Sequence, residues 1–324
     1  MAISQKETVK RAVEFRNPEQ TPLWFCNRDT EESFVVFTGM VPAPDFAPDV
    51  PGRTEWGYIV DSLDETMGQP TYCPLEESVE AIESFVPPNA NIPERYQYIK
   101  PAIDANPDKY MVANLGISGF NMATFIRGFE GFLEDIYIDE ENANRLLDMV
   151  FGFEEDVIRN YCKYDIDAVS FFDDWGTQKS LMINPEKWRE MFKPRYKKQF
   201  DIIHAAGKHV LFHCCGQISE IIDDFIEIGA DILNLNQPDL FGIENMKEKY
   251  GGRVCFCCPV DHQTVAITGT DTEIFQYVDR LNSNLNSSSG GYIGYVEEYH
   301  TCGMTEDGYQ SIKKAFLDLN RLKT

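Results

Sequence analysis

The sequence predicts a (β/α)8 barrel, a TIM barrel with long insertions near its N-terminus, and two observations support this prediction. From about residue 165 onward, short β-branched or aromatic runs alternate with longer helical patterns. Five successive runs end in polar side chains, as barrel strands do where they meet the loops that carry function. With 324 residues, the chain fits one such barrel, so residues 1–324 are expected to form a single domain.

The strands are predicted in chain order from these runs. The first is Leu23–Cys26, and Gly57–Val60 is the weakest choice, made to complete eight. The other six are Met111–Leu115, Ala168–Phe172, His209–Phe212, Ile232–Leu235, Val254–Cys257 and Tyr292–Val296. Residues 41–107 are rich in proline and acidic side chains, so we expect inserted loops and helices there.

Helices are predicted where apolar residues recur every three or four positions. Glu141–Tyr161 has this pattern, and a second helix begins with Asn184 as N-cap and is expected to bend at Pro194. A third covers Ile218–Ile226 and ends at Gly229, and a fourth covers Tyr309–Leu319. The repeating unit from about residue 165 onward is thus a strand followed by a helix.

The charge balance excludes several function classes. The chain has 29 lysine and arginine residues against 53 aspartate and glutamate residues, a formal net charge of −24. A protein that tracks nucleic-acid phosphates or anionic membranes needs a basic face, so neither partner is expected. No apolar run approaches the ~20 residues of a membrane span, and the first residues lack a signal-peptide pattern. These features lead us to expect a cytoplasmic protein.

The nine cysteines point to thiols or metal ligands rather than to a disulfide framework. Five of them fall between Cys214 and Cys258. His213 and Cys215 follow a predicted strand two residues apart, so both side chains can turn toward one ion. A third ligand from another loop would leave one position open, as in catalytic zinc sites. Cys302 is the best candidate for that ligand, with His300 as its rival. The alternative is that Cys215 is a buried thiol and His213 a histidine that packs in the protein, without a metal.

Other polar residues at the predicted strand ends are candidates for binding and proton transfer. Asp173 and Asp174 are adjacent and point to opposite sides, so only one is expected to face a substrate, and both are also compatible with turn caps. Asp261 with His262 is compatible with an acid/base pair or with support of the site. The remaining candidates are Gln178, Asn236 and Glu298.

At these residues the sequence resembles the uroporphyrinogen decarboxylase superfamily, and most closely its branch of cobalamin (corrinoid)-dependent methyltransferases. The resemblance covers nearly the whole chain. The stretches that carry it are Lys6–Arg16, Glu55–Gly57, Arg127–Glu130, Asp173–Gln178, Pro185–Arg189, His213–Ile218 and Ile228–Asn234. The most specific is His-Cys-Cys-Gly-Gln-Ile at His213–Ile218.

The resemblance implies a barrel with its site at the mouth. It also implies that His213, Cys215 and Cys302 bind zinc, the same three residues that the spacing suggested. A corrinoid would be presented by a separate small protein that docks at the mouth. In the decarboxylases of this superfamily an arginine-rich motif follows the first strand, whereas this chain retains only Arg28 there. Binding of a porphyrinogen with many carboxylates is therefore not expected.

With this resemblance, the expected function is that of a zinc-dependent methyltransferase, which moves a methyl group between a corrinoid protein and a small thiol, methoxy or methylamine substrate. Asp173, Asp174, Asp261 and Glu298 are the expected acid/base residues. Trp24, Gln178, Asn236 and His262 are expected to bind substrate, with Trp24 as a pocket wall. Two alternatives remain: a metal-free lyase related to the decarboxylases that uses carboxylate chemistry, and a non-enzymatic binder of a corrinoid or small molecule.

Overall fold

The computed structural model describes residues 3–26, 29–61, 68–297 and 303–321. Its strands are β1 (Leu23–Phe25), β2 (Val35–Gly39), β3 (Ile59–Asp61), β4 (Gln69–Tyr72), β5 (Tyr110–Ile117), β6 (Ala168–Phe172), β7 (His209–Cys214), β8 (Ile232–Leu235), β9 (Cys255–Cys258) and β10 (Tyr292–Val296). Eight of these form one parallel sheet in the order β1-β10-β9-β8-β7-β6-β5-β2. The chain is therefore a nearly closed (β/α)8 barrel, as predicted.

The two ends of the sheet meet through the residues just before β2. The Phe34 N–H donates to the Leu23 carbonyl at 2.8 Å, and the Phe25 N–H donates to Ser33 Oγ at 3.1 Å. These bonds satisfy backbone groups that an open sheet edge would leave exposed.

Helices surround the barrel. They are α1 (Gln5–Val13), α2 (Ile99–Ala105), α3 (Gly119–Arg127), α4 (Phe129–Ile138), α5 (Glu140–Tyr161), α6 (Pro185–Met191), α7 (Lys193–Ala205), α8 (Ile222–Ile228), α9 (Ile243–Tyr250), α10 (Val265–Thr268), α11 (Asp271–Leu285) and α12 (Glu306–Arg321). Short 3-10 helices occupy Val79–Ser84, Pro93–Tyr96 and Pro238–Leu240. None of the helices in the described ranges is both long and apolar enough to cross a membrane.

The choice of Gly57–Val60 as the eighth barrel strand is wrong. Ile59–Asp61 instead pairs antiparallel with Gln69–Tyr72 in a separate two-stranded sheet. Gly57, with φ +84°, donates its N–H to the Thr54 carbonyl at 2.9 Å, and a tight turn of this kind cannot extend a strand. The eighth barrel strand is Val35–Gly39, which pairs with β5.

The predicted helices are present, with changes at their ends. The helix expected to bend at Pro194 is divided into α6 and α7 around Phe192, and Pro194 lies in the first turn of α7, where its missing N–H costs little. The helix predicted from Ile218 begins at Ile222 and ends at Gly229, whose φ of +104° forms the left-handed C-cap.

An aromatic layer between the strands and the helices fixes the ends of β6 and β7. Phe212 packs against Phe225 of α8 with ring centroids 4.2 Å apart, and Phe171 packs against Phe200 of α7 at 5.3 Å. Because successive side chains of a strand point to opposite faces, Phe172 and His213 point into the barrel.

Two buried carboxyl groups hold the N-terminus of α3. Asp173 accepts hydrogen bonds from the N–H groups of Phe120 at 2.9 Å and Asn121 at 2.8 Å. Glu154 of α5 accepts from the Gly119 N–H at 2.7 Å and from Gln199 Nε2 at 2.7 Å. Burial raises the pKa of Glu154 to about 7, despite these donors.

The raised pKa of Glu154 gives a pH-dependent stability. Below its ordinary pKa of 4.5 the carboxyl is protonated in both states, whereas between pH 4.5 and about 7 only the unfolded chain loses the proton. The free energy of unfolding therefore falls over this window, relative to a Glu154→Gln variant, by on the order of 3 kcal/mol. Urea unfolding of both proteins from pH 4 to 8 measures this difference. A difference that does not change with pH would contradict the prediction.

Candidate metal centre

The end of β7 places His213 and Cys215 side by side. The intervening Cys214 points to the helices, where its sulfur accepts a hydrogen bond from the Trp175 N–H at 3.2 Å. By strand alternation, His213 and Cys215 then face the barrel mouth. The Cys215 Sγ atom lies 3.6 Å from His213 Nε2, so the sequence prediction that these two side chains converge is confirmed.

Asp174, which follows β6, completes a group of three donor atoms. Its Oδ1 lies 3.7 Å from His213 Nε2 and accepts the Cys215 N–H at 2.7 Å. The imidazole nitrogen, the sulfur and the carboxylate oxygen all lie within 4.8 Å of one another. Tetrahedral zinc with bonds of about 2.0–2.3 Å separates its ligands by roughly 3.3–3.8 Å. The His213 distances to its two neighbours match that geometry.

The electrostatics of this group also fit a cation. Burial raises the pKa of the Cys215 thiol well above its ordinary value, and the negative charge of Asp174 raises it further. A thiol in such surroundings stays protonated unless a positive charge lies beside it. A bound divalent ion would supply that charge and stabilise the thiolate.

A direct contact between two glycines holds the loops after β6 and β7 together. A Cβ atom on Gly216 would lie 2.0 Å from the Gly176 carbonyl oxygen, and a Cβ on Gly176 would lie 2.3 Å from the Gln217 nitrogen. Gly216 also has φ +77°, a conformation that favours glycine. Only two glycines allow this approach, and it fixes the distance between Asp174 and Cys215.

A second polar group lies at the ends of β8, β9 and β10. The Asn236 amide donates to Glu297 Oε2, and His262 Nδ1 lies 3.2 Å from the same oxygen. Asn236 and His262, both predicted to bind substrate, are therefore brought together by a carboxylate. The predicted Glu298, together with Cys302 and its rival His300, lies outside the described residues.

Two of the predicted acid/base residues are used elsewhere. Asp173 is fully buried; besides the two N–H groups of α3, it accepts a hydrogen bond from the Tyr196 hydroxyl. Asp261 Oδ1 accepts from the N–H groups of Gln263 and Thr264, both at 3.0 Å, and so caps a turn. For Asp173 these contacts match the capping alternative, and Asp261 is likewise used within its own loop.

The two remaining substrate candidates lie in different environments. Gln178 is exposed on a loop. Trp24 is buried and stacks on Phe37 with centroids 4.6 Å apart. Trp24 and Phe172 line a cavity of about 340 Å³, and the Phe172 ring stacks on His213 at 4.7 Å. The predicted pocket wall and the candidate metal centre are thus linked through one aromatic ring.

Comparison with known proteins identifies the family. The sequence profile of uroporphyrinogen decarboxylase (URO-D) matches residues 66–295, well over half of the chain. The chain belongs to the uroporphyrinogen decarboxylase family. This confirms the family resemblance found in the sequence. No curated protein sequence matches the chain significantly.

Among solved structures, a methyltransferase from Methanosarcina mazei superposes with a TM-score of 0.75 and 12% identity, covering 98% of this chain and 99% of that one. This similarity confirms the barrel fold of this URO-D family member. A 3-keto-D-glucoside 4-epimerase from E. coli matches at a TM-score of 0.43 and 12% identity over 75% of this chain and 85% of its own. A D-psicose 3-epimerase matches at 0.41 and 13% identity, over 75% and 84%.

Sequence reasoning missed two residues of this URO-D family site. Asn234, which accepts a hydrogen bond from His213 Nδ1 at 2.8 Å, was seen only as part of a family stretch. Glu297 is absent from the predicted site residues, which include its neighbour Glu298 instead. Strand alternation could have identified both residues. Asn234 lies on the same strand face as the predicted Asn236. Glu297 lies on the same face as Tyr295, which contacts Trp24.

The glycine contact predicts a position-specific effect of an added methyl group. Gly216→Ala is expected to lower the free energy of unfolding by about 1 to 3 kcal/mol more than Gly207→Ala, because it adds a backbone clash. Gly207→Ala is the matched control. Gly207 has a similar backbone conformation, with φ +68°, but no atom lies within 4 Å of an added Cβ. Denaturant titration of both variants measures the difference, and equal losses would contradict the proposed contact.

Proposed function

We propose that this URO-D family member is a zinc-dependent methyltransferase that moves a methyl group between a small substrate and a corrinoid carried by a partner protein. The observation that carries the proposal is the group formed by Asp174, His213 and Cys215 at the barrel mouth. Nitrogen, sulfur and oxygen donors are a common set for zinc in proteins. The methyltransferase name of the structural neighbour from Methanosarcina mazei points in the same direction.

His213 and Cys215 would supply two of the protein ligands to a bound zinc, and Asp174 or Cys302 would supply the third. This leaves one position for a substrate atom, as in other catalytic zinc sites. A zinc ion held there would act as a Lewis acid that lowers the pKa of a substrate thiol. A small thiol is therefore the favoured methyl acceptor, and methoxy compounds and methylamines are the donors considered for the opposite direction.

The remaining residues at the mouth bind the substrate and accept its proton. Trp24, Phe37 and Phe172 wall the cavity next to the candidate metal centre with aromatic rings. Glu297 and His262 form a hydrogen-bonded carboxylate–imidazole pair, which can accept the proton that a thiol releases. A corrinoid docked at the mouth would supply the methyl group to the substrate sulfur and would keep the electron pair of the cobalt–carbon bond, while this pair takes up the thiol proton.

The structure favours this proposal over metal-free lyase chemistry. That alternative relies on Asp173 or Asp174 as acid/base, but Asp173 is buried against three donors. Porphyrinogen carboxylates also require cationic partners. The described residues that line the cavity beside His213 include no lysine or arginine.

The first test is the metal content of the purified protein. About one zinc per chain is expected in the wild type, and both His213→Gln and Cys215→Ser should lose it. Cys73→Ser, which changes a half-buried thiol in the inserted segment, serves as the matched control and should retain it. Elemental analysis of the dialysed proteins measures the ratio. Stoichiometric zinc in both site variants would refute the ligand assignment.

The third ligand can be identified with the same measurement. Asp174→Asn and Cys302→Ser each remove one of the two candidates, and only the variant that lacks a true ligand is expected to lose zinc. Replacement of zinc by cobalt adds a spectroscopic check, since the sulfur-to-cobalt absorption band scales with the number of thiolates. Zinc retention by both single variants would mean that another group supplies this ligand.

The second test is methyl transfer itself. With methylcobalamin and a small thiol, the zinc-loaded protein is expected to consume the methylcobalamin absorbance and to form the methyl thioether. Cys215→Ser should lower the rate at least about 100-fold, because a catalytic metal contributes several kcal/mol to transition-state stabilisation. Mass spectrometry of the thioether provides the product assay. Transfer at wild-type rate by the metal-free protein would count against the proposed chemistry.

A further inference from the structure

A continuous row of hydrogen-bonded side chains runs from His213 across the neighbouring strand ends. His213 Nδ1 lies 2.8 Å from Asn234 Oδ1, and Asn234 Nδ2 lies 3.4 Å from Asn236 Oδ1. The Asn236 amide donates to Glu297 Oε2, which His262 Nδ1 also contacts. His213 and Asn234 are neighbours in the strand register, so the row follows directly from the barrel architecture.

The orientation of the Asn234 amide is fixed by a backbone carbonyl. Asn234 Nδ2 donates to the Cys257 carbonyl oxygen at 2.8 Å, and a carbonyl only accepts. A flipped amide would place two oxygens against each other, so Oδ1 must face His213. Since Asn234 Oδ1 also only accepts, the proton of a neutral His213 lies on Nδ1. The Nε2 lone pair then faces Cys215 and Asp174.

The row has the same polarity at every step. His213 donates to Asn234, Asn234 donates to Asn236, and Asn236 donates to Glu297. The Glu297 carboxylate at the far end is only an acceptor. It polarises the two asparagine amides so that the oxygen facing His213 becomes a stronger hydrogen-bond acceptor. A histidine that donates the N–H of its second ring nitrogen to such an acceptor is a stronger metal ligand, and its ring is held in one orientation.

We propose that Asn234 is the positioning residue of the metal centre, which holds His213 in the Nδ1–H tautomer and aims Nε2 at the ion. Glu297 acts on the same imidazole through Asn236 and Asn234. Asn234 is completely buried and lies behind His213, so it acts through that ring and not on the substrate. The inference rests on the proposed zinc site, but the tautomer is a property of the metal-free chain.

The decisive measurement therefore uses the metal-free wild-type protein. The chain has five histidines, so selective ¹⁵N-histidine labelling gives few imidazole signals, and His213→Gln identifies the signal of His213. In the neutral ring we expect a protonated Nδ1 and an unprotonated Nε2. A dominant Nε2–H tautomer would overturn the inference without any variant, so the result does not depend on whether a variant folds.

Variants then connect the tautomer to metal binding. Asn234→Ala is expected to mix the two tautomers and to weaken zinc binding about 10- to 100-fold in a chelator competition. Asn234→Asp retains an acceptor toward Nδ1 and should restore the Nδ1–H tautomer. Asn160→Ala removes another buried asparagine, one that contacts Asn91 and the Asp156 carbonyl, and should leave both zinc affinity and the His213 signals unchanged.

The outcomes separate this inference from the proposed function. Equal zinc affinity in wild type and Asn234→Ala would overturn the positioning role while leaving the zinc site in place. An Nδ1–H tautomer that Asn234→Ala disrupts, in a protein that binds no zinc, would support the orientation of His213 and refute the metal centre. Loss of zinc binding in Asn160→Ala to the same extent would show a general packing effect and overturn the specific role of Asn234.

Discussion

The alternation of side chains along β6 and β7 is the constraint on which both the core and the site depend. On the outer face, Phe171 and Phe212 pack into the aromatic layer beneath α7 and α8. On the inner face, Phe172 and His213 stack on each other at the mouth. A shift of one residue in either strand would exchange these faces. The apolar packing outside the barrel therefore fixes the register that presents the imidazole inside it.

The adjacent carboxylates Asp173 and Asp174 show how the same alternation divides two identical groups. Asp173 turns outward, where two N–H groups of α3 and the Tyr196 hydroxyl surround it. Asp174 turns to the mouth, where it meets His213 and the Cys215 N–H. Burial raises the pKa of Asp173 well above its ordinary value. One carboxylate thus stabilises the fold, and its neighbour becomes part of the candidate metal centre.

The sequence was sufficient for the barrel, seven of its strands and the convergence of His213 with Cys215, because these follow from local period and spacing. It was not sufficient for the eighth strand, Val35–Gly39, whose short run lies beside a long insertion that contains a competing β pattern. Nor could it distinguish Glu297 from Glu298 or recognise Asn234, since their roles depend on contacts between strands distant in sequence. The use of Asp173 as a cap likewise depends on where α3 begins.

Negative charge at the barrel mouth links the candidate metal centre with the hydrogen-bonded row that runs from His213 to Glu297. Asp174 and Glu297 both raise the pKa of the Cys215 thiol, after the larger effect of burial. Such a concentration of negative potential in a partly buried site is costly unless a cation compensates it. The hydrogen bonds from Asn236 and His262 satisfy Glu297. The Cys215 sulfur lies 3.6 Å from the His213 Nε2 atom, which carries no proton in the Nδ1–H tautomer, and Asp174 lies beside both. A divalent ion bound between these two atoms would replace the thiol proton, so the hydrogen-bonded row that orients His213 also directs its free lone pair at the proposed metal.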